Sequence, residues 1–482
     1  MIFRAQIDKW IEEIRASYWF IPAVMAVGAI LLALAATSVD RWLGIEWGEM
    51  DFIVAATRPD GARAILTVIG GSMIGVAGTV FSVTMAAVVY ASGQYGPRLL
   101  TNFLSDRGNQ VTLGTFTATF VFSILVLTTI RSPDEGSDAA GFVPQLAVTL
   151  AIALALCSIA VLIYFIHHVP SRIHISNVIR EIGEALIASI DERFPRTIGE
   201  APTNGAAATD TDWQIPPDFR PGADRDSTER GYQEVNARER GYVQFLNEKT
   251  LMEVAERHTI VIRLHVRPGM FLFDGALVYD VWPKQRVTDE VSTDLLRAIA
   301  TGARRTPAGD MLFLVDELVE IAARALSPGV NDPFTAIGCI DWLAAALAQL
   351  ATRPTPSPLR TDSGGKLRVI AETLDFAAYL RRTLGAIREY AAGDKITALH
   401  MLKTIEVIAR QCDHPDKIEA LRREADDLLM LSQERLFGPS LAEVEKEADI
   451  VLAALHHPSR RRPFPELPDA TGNADEAPPS GM

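Results

Sequence analysis

Hydrophobic residues concentrate in four runs, residues 19–39, 64–90, 111–130 and 142–166, and none of these contains Asp, Glu, Lys, Arg or His. Each reaches the roughly 20 apolar residues that cross a bilayer as a helix. Beyond them the pattern becomes amphipathic: Ile175, Ile179, Ile182, Leu186 and Ile190 share one helical face, so residues 170–196 read as a stalk leaving the membrane. Residues 197–240 lose all period and carry Pro, Gly, Ala, Asp and Arg in a mixture that cannot bury a core, which predicts a mobile linker. Strand signals follow over residues 241–288, where apolar runs are cut by the turns Arg267-Pro268-Gly269 and Asp274-Gly275. Within that block, residues 248–258 read as a short helix. Seven helical periods then run over residues 289–301, 311–326, 334–351, 374–392, 395–411, 416–437 and 441–455, a bundle spanning 289–456. The Pro-rich acidic tail, 457–482, reads as disordered. The expected fold is an α-helical polytopic membrane protein with four transmembrane helices (19–169) after a cytoplasmic N-terminal helix (1–18). A cytoplasmic α+β region follows, made of a small β-rich module and the helical bundle.

Lys and Arg beside the spans orient the chain, because they favour the cytoplasmic side. Arg4, Lys9, Arg15, Arg98, Arg107, Arg172 and Arg180 lie on one side, against Arg41, Arg58, Arg63 and Arg131 on the other, where the loop from Ser132 to Asp138 is acidic. Both termini are therefore expected in the cytoplasm, with the first span an anchor rather than a cleaved signal. Composition agrees with a membrane domain joined to a soluble one, at 48% hydrophobic residues and a mean hydropathy of +0.14. A net charge of −14 argues against nucleic acid as a partner. Three cysteines, Cys157, Cys339 and Cys412, form neither a disulfide framework nor a zinc pattern. Phosphate-binding loops, dinucleotide fingerprints, metalloprotease pairs and nucleophile elbows are absent, so no enzyme, cofactor or metal is expected.

The candidate functional residues fall in three places. The second run holds Gly70, Gly71, Gly75 and Gly78, with Gly71 and Gly75 in small-xxx-small spacing. Hydroxyls accompany them, Ser72, Thr79 and Ser82 in the second run and Thr115, Thr119 and Ser123 in the third. Such residues either line a pore or let helices pack closely, and their hydroxyls also bond back to their own helix. As a helix the second run is about 40 Å long, so it tilts or projects beyond the membrane. Gly96-Pro97 then breaks it and places Arg98, Asp106 and Arg107 at the cytoplasmic mouth, either as an ion or headgroup contact or as positive-inside anchors. His167 and His168, at the end of the fourth run, either sense pH or sit at headgroup level. The third place is the phrase from Ala323 to Ala336. There Gly329 follows a helix end, Asp332 is placed as an N-cap and Pro333 as the first helical residue. Asn331, Asp332 and Arg324 are candidate ligand contacts beside Asp316, Glu317 and Glu320, but no nucleophile is paired with a base.

At Gln94-Tyr95-Gly96-Pro97-Arg98 and at Leu326-Ser327-Pro328-Gly329-Val330-Asn331-Asp332-Pro333 the sequence resembles the bacterial predicted membrane proteins that carry the domain-of-unknown-function label 2254. Residues 103–110, Phe165-Ile166-His167-His168 and the block 241–282 are similar too, so the likeness covers nearly the whole chain outside the linker and tail. The resemblance implies a bacterial inner-membrane location and the architecture above, and assigns no catalytic or binding residue. Separately, the order of strands and turns in 241–288 resembles the barrel-sandwich modules of lipoyl and biotinyl carriers, without the lysine such carriers need at the Asp274-Gly275 turn. Two functions fit these residues. One is a channel-like homo-oligomer with a passive hydroxyl-lined path between the second and third spans and a cytoplasmic gating domain. The other is a membrane-anchored regulatory or scaffolding protein whose bundle binds a partner or small ligand. Either has the lipid bilayer as its partner, and the first adds an ion or small molecule.

Overall fold

A computed structural model describes residues 17–43, 58–95, 106–132, 142–193, 215–220, 222, 230–307, 309–412 and 414–456. The expected N-terminal helix up to residue 16, most of the linker, the Gly96-Pro97-Arg98 turn and the tail lie outside these residues. The chain forms two compact units, one of Met1–Trp342 with Pro356–Thr373 and the other of Leu343–Thr355 with Leu374–Met482.

The first unit opens with four long apolar helices, α1 (Phe20–Leu43), α2 (Pro59–Tyr95), α3 (Arg107–Leu127) and α4 (Gln145–Ile173). They share one apolar core, in which Leu66, Phe116, Phe122, Val126 and Val148 are almost fully buried. Helix α3 is central, and the other three pack on it. Small residues permit this: Gly114 lies against Pro22 and Met25 of α1, and Gly70 of α2 against Ser123 and Phe120. Charged residues sit at the helix ends. Asp40, in the last turn of α1, accepts hydrogen bonds from the amides of Leu146 and Ala147 at 3.0 and 3.1 Å and so caps α4. Five helices of the described chain are long and apolar enough to cross a membrane, these four and Pro333–Ala351. The fifth carries Asp341, and the sequence pattern had placed it in the helical bundle.

Helix α5 (Ile175–Arg193) continues from α4 after a break at His174. Its apolar face, Val178, Ile179, Ile182, Leu186 and Ile190, is buried. It packs against α8 (Met311–Ala325), and its Gly183 fits so closely against Trp342 of α9 (Pro333–Ala351) that a Cβ there would lie 2.3 Å from the indole.

Between these helices lies an α+β module with two sheets. The larger is mixed, in the order β1-β5-β3-β8-β7, built from β1 (Gln233–Asn236), β3 (Val261–Leu264), β5 (Leu277–Trp282), β7 (Leu359–Thr361) and β8 (Leu367–Ala371). All neighbours are antiparallel except β3 and β8, which run parallel with Ile262 opposite Val369. The smaller sheet has the order β4-β2-β6, from β2 (Gly241–Leu246), β4 (Phe271–Leu272) and β6 (Ile299–Gly302). Helices α6 (Glu248–His258) and α7 (Asp289–Leu296) close one core with Leu251, Val254, Val291 and Leu295 against Ile262, Tyr279 and Val281. This strand order gives no support for a barrel-sandwich. Three expectations also change: β1 lies inside the expected linker, β6 inside a helical period, and β7 and β8 inside the expected bundle. The second unit is helical, with α10 (Phe376–Arg382), α11 (Leu384–Ala391), α12 (Lys395–Arg410), α13 (Pro415–Arg435) and α14 (Pro439–His456). Inside it Arg388 Nη1 pairs with Glu424 and Asp427 at 2.9 and 2.7 Å. Burial pushes the Glu424 carboxyl up to about 7, against the opposing charge of Arg388.

Candidate functional site at the end of the transmembrane bundle

The residues singled out in the second and third spans do not converge. Thr115, Thr119 and Ser123 are buried inside the four-helix core, whereas Gly71, Ser72, Gly75, Thr79 and Ser82 lie on the exposed side of α2. A Cβ on Gly71, Gly75 or Gly78 would meet nothing within 4 Å. The hydroxyls bond to carbonyls one turn back on their own helices: Ser72 to Val68, Thr79 to Gly75, Ser82 to Gly78, Thr115 to Val111 and Ser123 to Thr119. That satisfies each donor within its helix, as apolar surroundings demand. Thr119 also meets Ser158 of α4 at 3.1 Å, which seals α3 to its neighbour. Within one protomer, then, the two sets of hydroxyls do not line a common path.

The polar chemistry gathers instead where α3 begins and α4 ends. Asp106 is the N-cap of α3, its Oδ2 accepting the Asn109 amide at 3.1 Å. The same oxygen lies 3.0 Å from His168 Nε2, a contact between residues 62 positions apart. On the far side of the ring, Tyr164 Oη lies 3.1 Å from Nδ1, and the two rings stack with centroids 4.9 Å apart. Gly108 lets the imidazole approach, since a Cβ there would sit 2.5 Å from Nε2. Asn109 and Gln110 are buried beside it, and Tyr18 comes to the same end with its ring 6.3 Å from Phe81 of α2.

The carboxylate of Asp106 can only accept, so Nε2–H donates to it and Nδ1 faces the Tyr164 hydroxyl. The chain Tyr164–His168–Asp106 therefore links the last turns of α4 to the N-terminus of α3 through two hydrogen bonds. Among the described residues no three His, Cys, Asp or Glu side chains gather to hold a metal ion. Of the other candidates, Arg107 is exposed at the start of α3, His167 is exposed, and Arg98 lies outside the described residues. The sequence placed Asp106 and His168 separately and missed their pairing. The available signal was an Asp three residues before Asn109 at a helix start, with Tyr164 and His168 at i,i+4 spacing.

The third candidate place proves to be a joint. Asp332 caps α9, accepting from the Thr335 amide at 3.1 Å and its hydroxyl at 2.6 Å. The left-handed residue of this turn is Asn331, φ 50°, not Gly329, which fits the tolerance of Asn for that region. Arg324, in the last turn of α8, reaches back 231 positions in sequence to donate from Nη1 to the Gly93 carbonyl of α2 at 2.8 Å. Gly93 lies just beyond the apolar run that ends at Tyr90. Arg324 thus ties the α+β module to the stem of the second span.

A family model described as "Predicted membrane protein (DUF2254)" matches residues 15–407. An uncharacterized protein of Mycobacterium tuberculosis strain CDC 1551 is 30% identical over 421 residues, 86% of this chain and 76% of the relative. An uncharacterized protein of Mycobacterium bovis is 29% identical over 419 residues with the same shares. No solved structure matches. The match over most of the chain shows that this protein belongs to the DUF2254 family of predicted membrane proteins.

Proposed function

We propose that the protein is a membrane-anchored regulatory protein, with four of its apolar helices in the bacterial inner membrane and its α+β module in the cytoplasm. In this reading the polar chain Tyr164–His168–Asp106 is the responsive element. Changes there reach the module through two helices that leave the bilayer. The observation that carries this is the Arg324–Gly93 contact, reinforced by the packing of the apolar face of α5 on α8. A charge or ligand that shifts Asp106 moves the start of α3, and α4 carries His168 six residues before the break at His174. The test is hydrogen exchange on the full chain in nanodiscs, comparing wild type with Asp106→Asn. Faster exchange is expected in α5 and α8 as well as in α3; a change confined to the bundle would sink the reading.

A second reading, a channel-like oligomer, is favoured by one feature: the exposed face of α2, where Gly71, Gly75, Gly78 and Ser82 offer a small-residue surface to another copy. Its path would run between protomers, not between the second and third spans of one. Flux into proteoliposomes separates the two. The regulatory reading expects no ion or solute leak above empty vesicles across pH and voltage, and a leak abolished by Gly75→Leu would favour the channel.

A further inference from the structure

The three-stranded sheet presents a contiguous aromatic surface that neither reading above uses. Along β4 and the residue after it the side chains alternate: Leu272 is buried in the core, while Phe271 and Phe273 are 41% and 68% exposed. Phe271 stands edge-to-face on Tyr242, its partner in the β2 register, at 5.0 Å, and on Phe273 at 5.1 Å. Met270 extends the patch. Isolated exposed apolar residues are ordinary, but a ladder of stacked rings held on a sheet marks a contact surface.

We propose that this surface rests on the headgroup layer of the protein's own bilayer, seating the α+β module on anionic lipid. Three observations select that occupant. The first is place. The turn before β4 is locked to the start of α8, where Gly269 (φ +87°) fits so tightly that a Cβ would lie 2.1 Å from an Asp310 oxygen. Arg305 holds Asp310 and Asp316 together at 2.7 and 2.5 Å. The other end of the same 15-residue helix grips Gly93, just past the apolar run of α2. At 1.5 Å per residue this helix is about 22 Å long, so one short rigid element joins the turn that leads into the aromatic strand to the end of the second apolar run.

The second is charge. A chain of net charge −14 is repelled by an anionic leaflet, yet the exposed charged residues flanking the rings include Arg240, Arg267 and Arg304, against Glu239 and Asp274. Among the described residues none of these three arginines has a carboxylate within ion-pair distance. A cationic residue near an anionic membrane surface is attracted to it, and aromatic rings prefer the interface depth at which they would sit. The third is symmetry. A two-fold contact with a second copy would bring the same arginines face to face, which disfavours self-association through this patch. The inference goes beyond the proposed function and holds for either reading, because the Arg324–Gly93 contact that joins the module to α2 is common to both.

The experiment uses the full chain in nanodiscs holding one copy each, with Phe273→Cys in a Cys157→Ser background. Cys339 and Cys412 are buried, so an environment-sensitive fluorophore attaches at the new thiol. Phosphatidylcholine discs with phosphatidylglycerol should give blue-shifted emission, quenching by nitroxide-labelled lipid and protection from iodide. The shift should shrink without phosphatidylglycerol and after Arg240→Gln with Arg267→Gln. Emission and iodide quenching equal to those of a label at exposed Lys284 would overturn the proposal. So would a blue shift that appears only when several copies share a vesicle, since a second copy would then cover the patch. Hydrogen exchange of residues 267–275 in the unlabelled protein guards against label artefacts. Protection that increases with phosphatidylglycerol is expected, and none would equally overturn it.

Discussion

Replacing Gly108 with alanine tests the geometry of the polar chain directly. The added Cβ would lie 2.5 Å from His168 Nε2, 2.9 Å from its Cδ2 and 3.0 Å from the Tyr164 hydroxyl, where ordinary contact begins near 3.4 Å. The backbone of α3 is fixed by its core, so the imidazole must retreat by roughly an ångström, which stretches the 3.0 Å contact with Asp106 beyond hydrogen-bond range. Losing a hydrogen bond to a charged group costs about 1.5–3 kcal/mol. Alanine recovers about 1 kcal/mol of helix propensity over glycine, so the net destabilisation is about 0.5–2 kcal/mol. Unfolding of the full chain in nanodiscs, followed by denaturant titration, reads this value. In a His168→Ala background the closer obstacle is gone and the exposed Tyr164 side chain, no longer tied to the imidazole, can turn aside, so Gly108→Ala becomes neutral or mildly stabilising. The double-mutant cycle then shows a coupling about as large as the single effect. An equal cost in both backgrounds would refute the Gly108–His168 contact as its source.

Other expectations follow from the same structure. Because the folded-state pKa of Glu424 is raised to about 7 by burial, the native state binds more protons than the unfolded chain between about pH 4.5 and 7. Stability of the second unit therefore falls as pH rises through that window, by at most about 3 kcal/mol, and Glu424→Gln should flatten the slope of exchange protection in α13; a slope unchanged in the variant contradicts the assignment. Asp40→Ala removes the cap of α4 and should cost about 1 kcal/mol, with faster amide exchange at Leu146 and Ala147 and none in the α+β module. Gly71→Leu with Gly75→Leu meets open space and should leave thermal stability of the protomer unchanged, while any oligomer seen by cross-linking is lost; unaltered oligomers would remove the small-residue face as an interface.

The elements that local chemistry dictates were legible in the sequence. Four uncharged runs became the four packed helices, the apolar face of α5 was readable from Ile179 to Ile190, and Asp332 sits at the N-cap its neighbours imply. Pairings between distant residues were not. Strand β8 runs beside β3 although Val369 and Ile262 are far apart in sequence, and β7 and β8 are short strands inside a region otherwise helical. Their hairpin had a signal, an Asp-Ser-Gly-Gly turn between Leu359-Arg360-Thr361 and Leu367-Arg368-Val369, but strands of three to five residues are weak against the helical periods around them. The same limit hid the site. Asp106 and His168 each had a sufficient local explanation, as a residue of the cytoplasmic mouth and a headgroup-level residue, and only the packing of α4 on α3 brings them within 3.0 Å. The hydroxyls misled for the opposite reason. Ser and Thr in an apolar helix look like pore lining, but their bonds to the preceding turn satisfy them wherever they point.

The central claim is that the bundle end and the α+β module respond as one through the Arg324–Gly93 joint. Hydrogen exchange in nanodiscs on Asp106→Asn, measured with and without Arg324→Ala, tests it most directly. The account predicts that Asp106→Asn speeds exchange in α8 when Arg324 is present and has little effect there when Arg324 is alanine. An effect on α8 that is the same size in both backgrounds, or absent in both, would contradict it.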